Sequence, residues 1–225
     1  MKKLIAAFVL LLFCRCSFAL ENKLELSYTY LYSGQWDKAI QAYNFSRPFL
    51  ANQQPLFMNG LNASASHIFK PHKVFSYGIT VSYLYFRSSV KNENFLNTLN
   101  LHFADIGWLV HFENTEKPDG FYSELAFSAV SSGLFRTVNR KSFRYDGARA
   151  KAFGIGGDIH LKAGYEFSAK NNFFISPFAA LGYTPFLFSP NTEGVINQTT
   201  GLTGRRWTGI VQVQAGIALH WKKET

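Results

Sequence analysis

"VQVQAGIALHW", residues 211–221, places Val211, Val213, Ala215, Ile217, Leu219 and Trp221 at every second position, with Gln212, Gln214, Gly216, Ala218 and His220 between them. Successive side chains of a strand point to opposite faces, so this period makes a strand with one apolar face and one mostly polar face. Such a strand needs an apolar medium on one side only. The rest of the chain says what that medium is.

The same alternation recurs along the sequence. Near residues 23–32, Leu24, Leu26, Tyr28, Tyr30 and Tyr32 oppose Glu25, Ser27 and Thr29. Leu61, Ala63, Ala65 and Phe69 oppose Asn62, Ser64 and Ser66, and then Phe75, Tyr77, Ile79, Val81, Tyr83 and Tyr85 oppose Ser76, Gly78, Thr80 and Ser82. Ala104, Ile106, Trp108, Val110 and Phe112 stand against Asp105, Gly107 and His111; Phe121, Leu125, Phe127 and Ala129 against Tyr122, Glu124 and Ser128. The clearest case sets Phe153, Ile155, Ile159, Leu161, Ala163, Tyr165 and Phe167 against Asp158, His160, Lys162 and Glu166. Near 172–186 Pro177 and nearly unbroken apolarity leave the phase of the strand open. With the opening stretch, the pattern predicts eight strands.

Aromatic residues make up 17% of the chain and charged residues only 16%, against roughly 25% charged in soluble proteins. Something other than water therefore covers part of the surface. After residue 19 no apolar run reaches the roughly 20 residues of a spanning helix, so a bilayer would have to be crossed by strands. In hydrocarbon every backbone N–H and C=O needs a partner within the protein, which strands supply only when the sheet closes on itself.

The first 19 residues carry Lys2 and Lys3, an apolar run from Leu4 to Phe13, and Ser17 and Ala19 around Phe18. This reads as a secretory signal removed after Ala19, leaving 20–225 as one barrel domain. Cys14 and Cys16 raise a lipid anchor as the alternative, but Phe13 and Arg15 stand where a small residue belongs. No cysteine follows residue 19. An exported chain without disulfides suits a Gram-negative envelope.

Connections alternate in length. Short, turn-rich ones fall at 70–73, 113–120 and 168–172, and long ones at 33–55, 87–97, 136–151 and 187–206. Short turns and both termini on one side, with long loops on the other, describe an all-β, transmembrane, up-and-down antiparallel barrel in the outer membrane. Ten strands remain the alternative if the first long segment adds a pair. That segment also sets Trp36, Ile40 and Tyr43 at i, i+4 and i+7, which predicts a short amphipathic helix across the barrel mouth.

Gln214, Gly216, Leu219 and Trp221 match the four specified positions of the pattern polar, any, Gly, any, any, apolar, any, aromatic. The last strand thus resembles the C-terminal recognition strand of bacterial outer-membrane barrel proteins. The resemblance implies delivery to the barrel-assembly machinery and places the chain among small eight-stranded barrels. Residues 222–225 extend past the aromatic on which many members end.

On the polar face lie Asp105, Glu124, Asp158, His160, Lys162, Glu166, Gln212 and Gln214, with His220. An eight-stranded barrel is just wide enough for side chains to fill, so these residues are expected to form a hydrogen-bonded plug. The competing reading uses Asp158 and His160 to orient a base for a serine nucleophile. Lipid A deacylases and palmitoyltransferases do occupy this scaffold, but the deacylase pattern His, any, Ser follows none of the six histidines. "GIGGD", 154–158, lacks the lysine and hydroxyl of a phosphate loop. The histidines show no short metal spacing, so neither metal nor cofactor is expected.

Net charge is +9, and "RTVNRKSFRYDGARAK", 136–151, concentrates Arg136, Arg140, Lys141, Arg144 and Arg149; Arg205 and Arg206 follow in the fourth long segment. On the outer side these cations form either a lipopolysaccharide phosphate site, using bidentate guanidinium contacts, or an ordinary solvated loop. An exported barrel has no use for nucleic acid. Three roles fit: a structural or surface-interaction barrel, which the sequence favours; a lipid A acyl hydrolase or transferase; and a narrow channel for small solutes.

Overall fold

The structure, a computed structural model, describes residues 21–48, 52–57, 59–69, 75–92, 95–113, 119–140, 148–170, 172–188, 195 and 207–222. The leader and the cations Lys141, Arg144, Arg205 and Arg206 lie outside them, as do the side chains of Arg140 and Arg149.

Each alternating stretch forms a strand: β1 Glu21–Tyr32, β2 Asn59–Phe69, β3 Phe75–Lys91, β4 Phe95–Glu113, β5 Gly120–Arg140, β6 Ala148–Lys170, β7 Phe173–Phe188 and β8 Trp207–Lys222. A helix, α1 Gly34–Phe45, follows β1. Every strand pairs antiparallel with its sequence neighbours, and β1 pairs with β8 from Glu21↔Lys222 to Tyr32↔Val211. The result is a closed barrel in the order β1 to β8. The eight-stranded expectation holds, and the described residues of the first long segment contain a helix over 34–45 and no strand.

The seam between β1 and β8 explains Gly216. A Cβ at this position would collide with the Leu26 carbonyl oxygen and lie 2.6 Å from Ser27 Cβ. At the other tight point, Asn172 turns β6 into β7 with φ 60°, a left-handed conformation that asparagine tolerates.

The outer wall follows the alternation. Leu26, Leu61, Ile106, Leu161, Leu181, Val213 and Ile217 are between 50% and 63% exposed, which in water would be costly at about 25 cal/mol per Å². Aromatic rings flank these aliphatic positions at both levels. Toward the termini Phe121 meets Tyr165 edge-on at 4.9 Å, and Phe173 meets Trp221 at 5.4 Å; toward the long-loop side Phe135 meets Phe153 at 5.8 Å. An aliphatic band between two aromatic girdles is the exterior of a barrel in a bilayer. In β7 the odd residues, Ile175, Leu181 and Tyr183 among them, face outward and Phe174 and Phe178 face inward, which settles its phase.

Two expectations are corrected. The long segments 87–97 and 136–151 are shorter than predicted, because β3 runs to Lys91, β4 starts at Phe95, β5 runs to Arg140 and β6 starts at Ala148. Backbone pairing continues past the alternating stretch, where both faces carry mixed residues. Second, the lumen is not polar along its whole length: the half nearer the termini is mainly polar, whereas the other half carries an apolar tier. In the other half Leu31, Leu84, Phe86, Leu99, Leu101, Phe103, Leu134 and Ile210 point inward and are buried. Helix α1 supplies their partners: Trp36 and Ile40 are 4% and 0% exposed, and the Trp36 ring stacks on Phe103 at 6.3 Å and meets Phe57 edge-on at 6.1 Å. Asp37 sits in the first turn of α1, where a negative charge favours the helix dipole.

A cation placed on the band measures the medium. Leu161→Arg is expected to cost about 2–4 kcal/mol and Phe121→Arg, near the turn end, about 0–1 kcal/mol, read by urea unfolding of the barrel in lipid vesicles. Equal costs at the two depths would contradict a bilayer-spanning wall.

Candidate functional site

The polar half of the lumen is built around four charges from three strands. Lys23 of β1 lies 2.9 Å from Glu25 Oε1 and donates to Glu124 Oε1 of β5. Lys162 of β6 donates to both Glu25 oxygens at 2.6 Å and lies 3.0 Å from Glu124 Oε2. Glu124 and Lys162 are direct register partners, whereas β1 stands on the far side of the closed barrel from β5. The alternating quartet therefore bridges opposite walls. Lys23 is 1% exposed and Glu124 3%, so each charge is desolvated and depends on its partners.

Secondary contacts fix the quartet. Ser64 donates to Glu25 Oε2 at 2.7 Å, and His111 Nδ1 lies 2.8 Å from Glu124 Oε1. Tyr122 stacks on His111 with centroids 5.3 Å apart. Beside the quartet remains a cavity of about 50 Å³, lined by Asn62, Ser82, Asp105, Ser128, His160 and Gln214 among others. One or two waters fit such a space, at about 30 Å³ each.

A second network lies between the quartet and the apolar half. Asp158 pairs with His160 Nδ1 and accepts from Thr184. Gln212 Nε2 donates to Thr184 at 2.9 Å, and Gln214 Nε2 lies 3.1 Å from His160 Nε2. With Nδ1–H donated to Asp158, His160 Nε2 accepts from the Gln214 amide. The lone pair a general base would need is thus engaged by an amide, not by a serine hydroxyl. Asp105 accepts from Ser82.

The third group closes the end that bears the termini. His220 Nδ1 lies 2.7 Å from Glu21 Oε1 and 3.0 Å from Glu166 Oε1. Lys222 donates to Glu113 Oε2 at 2.6 Å and to Glu166 Oε2 at 2.5 Å.

The structure places Asp105, Glu124, Asp158, His160, Lys162, Glu166, Gln212 and Gln214 all on the inner face and divides them among these three groups. Sequence reasoning did not single out Glu21, Lys23, Glu25, His111, Glu113 or Lys222. Glu25 and His111 stood on recognised polar faces, so inward direction was legible; Glu21, Lys23, Glu113 and Lys222 sit at strand ends, where the alternation is too short to assign a face.

Arg136 departs from its expected position among outward cations. It is 3% exposed, donating from Nε to Asn97 Oδ1 and from Nη1 to the Val195 carbonyl, both at 2.9 Å. Its guanidinium lies 5.3 Å from the Tyr43 ring. Even-numbered residues of β5 face inward, so Arg136 ties α1 to the wall. In β8, Gln214 faces the lumen and Trp221 the outside.

No family model and no curated protein matches the sequence. Among solved structures the chain is similar to neisserial surface protein A, with a TM-score of 0.51 at 9% identity, over 90% of this chain and 96% of that one. It is also matched to the attachment invasion locus protein Ail of Yersinia pestis, with a TM-score of 0.44 at 11% identity over 89% of this chain and 98% of that one. The match to OprG of Pseudomonas aeruginosa has a TM-score of 0.45 at 7% identity over 91% and 97% of the two chains. The first of these likenesses is one of fold: the chain is a closed eight-stranded antiparallel barrel of the bacterial outer-membrane kind.

Proposed function

We propose that this outer-membrane barrel has a structural or surface-interaction role, with a plugged lumen and a basic outer rim that contacts lipopolysaccharide. The observation that carries the reading is the Lys23–Glu25–Glu124–Lys162 quartet, which spans the lumen from wall to wall. With α1 in the other half, side chains fill the interior apart from the small cavity beside the quartet. The occupied Nε2 of His160 favours a structural role for the Asp158–His160 pair.

Topology supports the rim. Arg140 ends β5 and Arg149 lies in the first turn-side residues of β6, at the end of the barrel opposite the termini. In sequence Lys141 and Arg144 fall between these two, and Arg205 and Arg206 immediately precede β8. Guanidinium groups suit bidentate contacts to phosphate. Residues 1–19 act as the export signal, and the strand carrying Gln214, Gly216, Leu219 and Trp221 is the segment offered to the barrel-assembly machinery.

One feature favours the second reading, a lipid-modifying enzyme. A groove of about 790 Å³ lined by Ala104, Ile106, Ala129, Ser131, Gly157 and Pro185 indents the bilayer-facing wall. Its lining includes Gly156 and Gly157, where the β6–β7 pairing lapses between Gly156↔Phe186 and Ile159↔Tyr183. Mass spectrometry of lipid A from cells with and without the gene separates the readings. Unchanged acylation is expected; an altered acyl count would replace the structural role with catalysis.

Replacing Arg140, Lys141, Arg144, Arg149, Arg205 and Arg206 together by serine is expected to weaken binding of purified lipopolysaccharide to the barrel and to abolish its salt dependence. Retained, salt-sensitive binding would remove the rim from the proposal. For the plug, Lys23→Met is expected to destabilise the barrel by about 3–5 kcal/mol because two carboxylates lose a partner, with Lys23→Met/Glu124→Gln recovering most of the loss. Planar-bilayer recording of the wild-type barrel should give no steady single-channel steps.

A further inference from the structure

We propose that the terminus-bearing end of the lumen binds one divalent transition-metal ion of the zinc class through Glu21, His111 and Glu113. Glu21 opens β1; His111 and Glu113 stand two apart on the inner face at the end of β4. Ligand-type atoms of the three lie within 4.8 Å of one another. Some ninety residues separate Glu21 from the pair, and barrel closure brings them together.

The state of His111 points to a ligand. Its Nδ1 is 2.8 Å from Glu124 Oε1, a carboxylate oxygen that only accepts, so Nδ1 carries the hydrogen, and in the neutral imidazole that a metal binds Nε2 would offer its lone pair. That Nε2 has no hydrogen-bond partner, nor does Glu21 Oε2, and both residues are 0% exposed. A histidine whose far nitrogen donates to a carboxylate while the near one is left open is the arrangement seen around protein-bound metals. Here Glu124 is the orienting carboxylate, itself fixed by Lys23.

Distance favours a metal over a direct hydrogen bond. His111 Nε2 lies 3.5 Å from Glu113 Oε2, too long for a good hydrogen bond. Two ligands bound at about 2.1 Å with a tetrahedral angle between them stand about 3.4 Å apart. Glu166 and His220 form a second set around the same Glu21, but there His220 Nδ1 closes on Glu21 at 2.7 Å and leaves no gap for an ion.

Charge agrees. Among the described residues Lys222 contacts Glu113 and Glu166, and His220 contacts Glu21 and Glu166. A doubly charged ion suits an end of the lumen where three carboxylates converge. Imidazole among the ligands selects zinc and its first-row neighbours over magnesium or calcium.

The test folds the mature chain into detergent micelles with Zn²⁺ present, removes free ion by desalting, and measures zinc per folded chain by plasma mass spectrometry. Folding is checked by heat-modifiable migration on gels. One equivalent is expected in the wild type, and Co²⁺ in its place should give visible d–d bands of a four-coordinate site. His111→Gln and Glu113→Gln should reduce retained zinc to background, while His160→Gln, in the separate network, leaves it unchanged. Lys222→Met removes the neighbouring positive charge and should hold zinc more tightly against a competing chelator, an effect that a purely structural ion-pair cluster would not produce. A zinc-free wild type without cobalt bands, or variants of His111 and Glu113 that retain zinc, would overturn the proposal. If those variants fail to fold, the cobalt spectrum and Lys222→Met decide it: absent bands, or weaker binding in Lys222→Met, reject the site.

Discussion

Pairing between β1 and β8 is the constraint on which the rest of the molecule depends. Until those two strands meet, each presents a row of backbone donors and acceptors that hydrocarbon cannot satisfy. The sequence prepares the junction from both sides: Gly216 lets the strands approach, and both carry aliphatic residues outward and polar residues inward in phase. Once the ring is closed, its diameter is set, and every inward side chain must find its partners within that bore.

The bore is filled by two chemistries in series. Near the termini, ionic residues share the bore with inward rings such as Phe174 and Phe178, and the Lys23–Glu25–Glu124–Lys162 quartet balances charge across the lumen. Farther along, the same inward positions become leucine and phenylalanine, because α1 folds back into the mouth and supplies Trp36 and Ile40 as neighbours. The helix is therefore part of the interior and not an appended loop, and Arg136 fastens the wall beneath it. A barrel with this interior gains rigidity from both halves, by charge pairing in one and by close packing in the other.

Much of the fold could be read from the alternation. The faces of β1, β3 and β6 were unambiguous, since long runs such as 153–167 keep one phase. In β7 the inward Phe174 and Phe178 matched the outward residues in polarity, so only pairing with β8 fixed its phase. Strand ends could not be read, because beyond the bilayer the wall no longer needs an oily exterior and the period loses contrast. The apolar tier was hidden for a related reason: Leu84, Phe86 and Leu101 look like lipid-facing residues until the helix that covers them is in place. Inward direction was legible for the polar set, but partnership was not. Lys162 and Glu25 are 137 residues apart, and such pairs follow from the curvature of the closed sheet rather than from any local spacing.

The strands differ greatly in length, 12 residues in β1 and 11 in β2 against 21 in β5 and 23 in β6. A tilted strand crosses the bilayer in about 9–11 residues. At about 3.3 Å per residue, the surplus in β5 and β6 rises well clear of the lipid on one side of the mouth only. The rim is thus lopsided, a low sill near β1 and β2 facing a tall parapet. A large molecule arriving from outside would meet the parapet first, and its approach would be steered from that side.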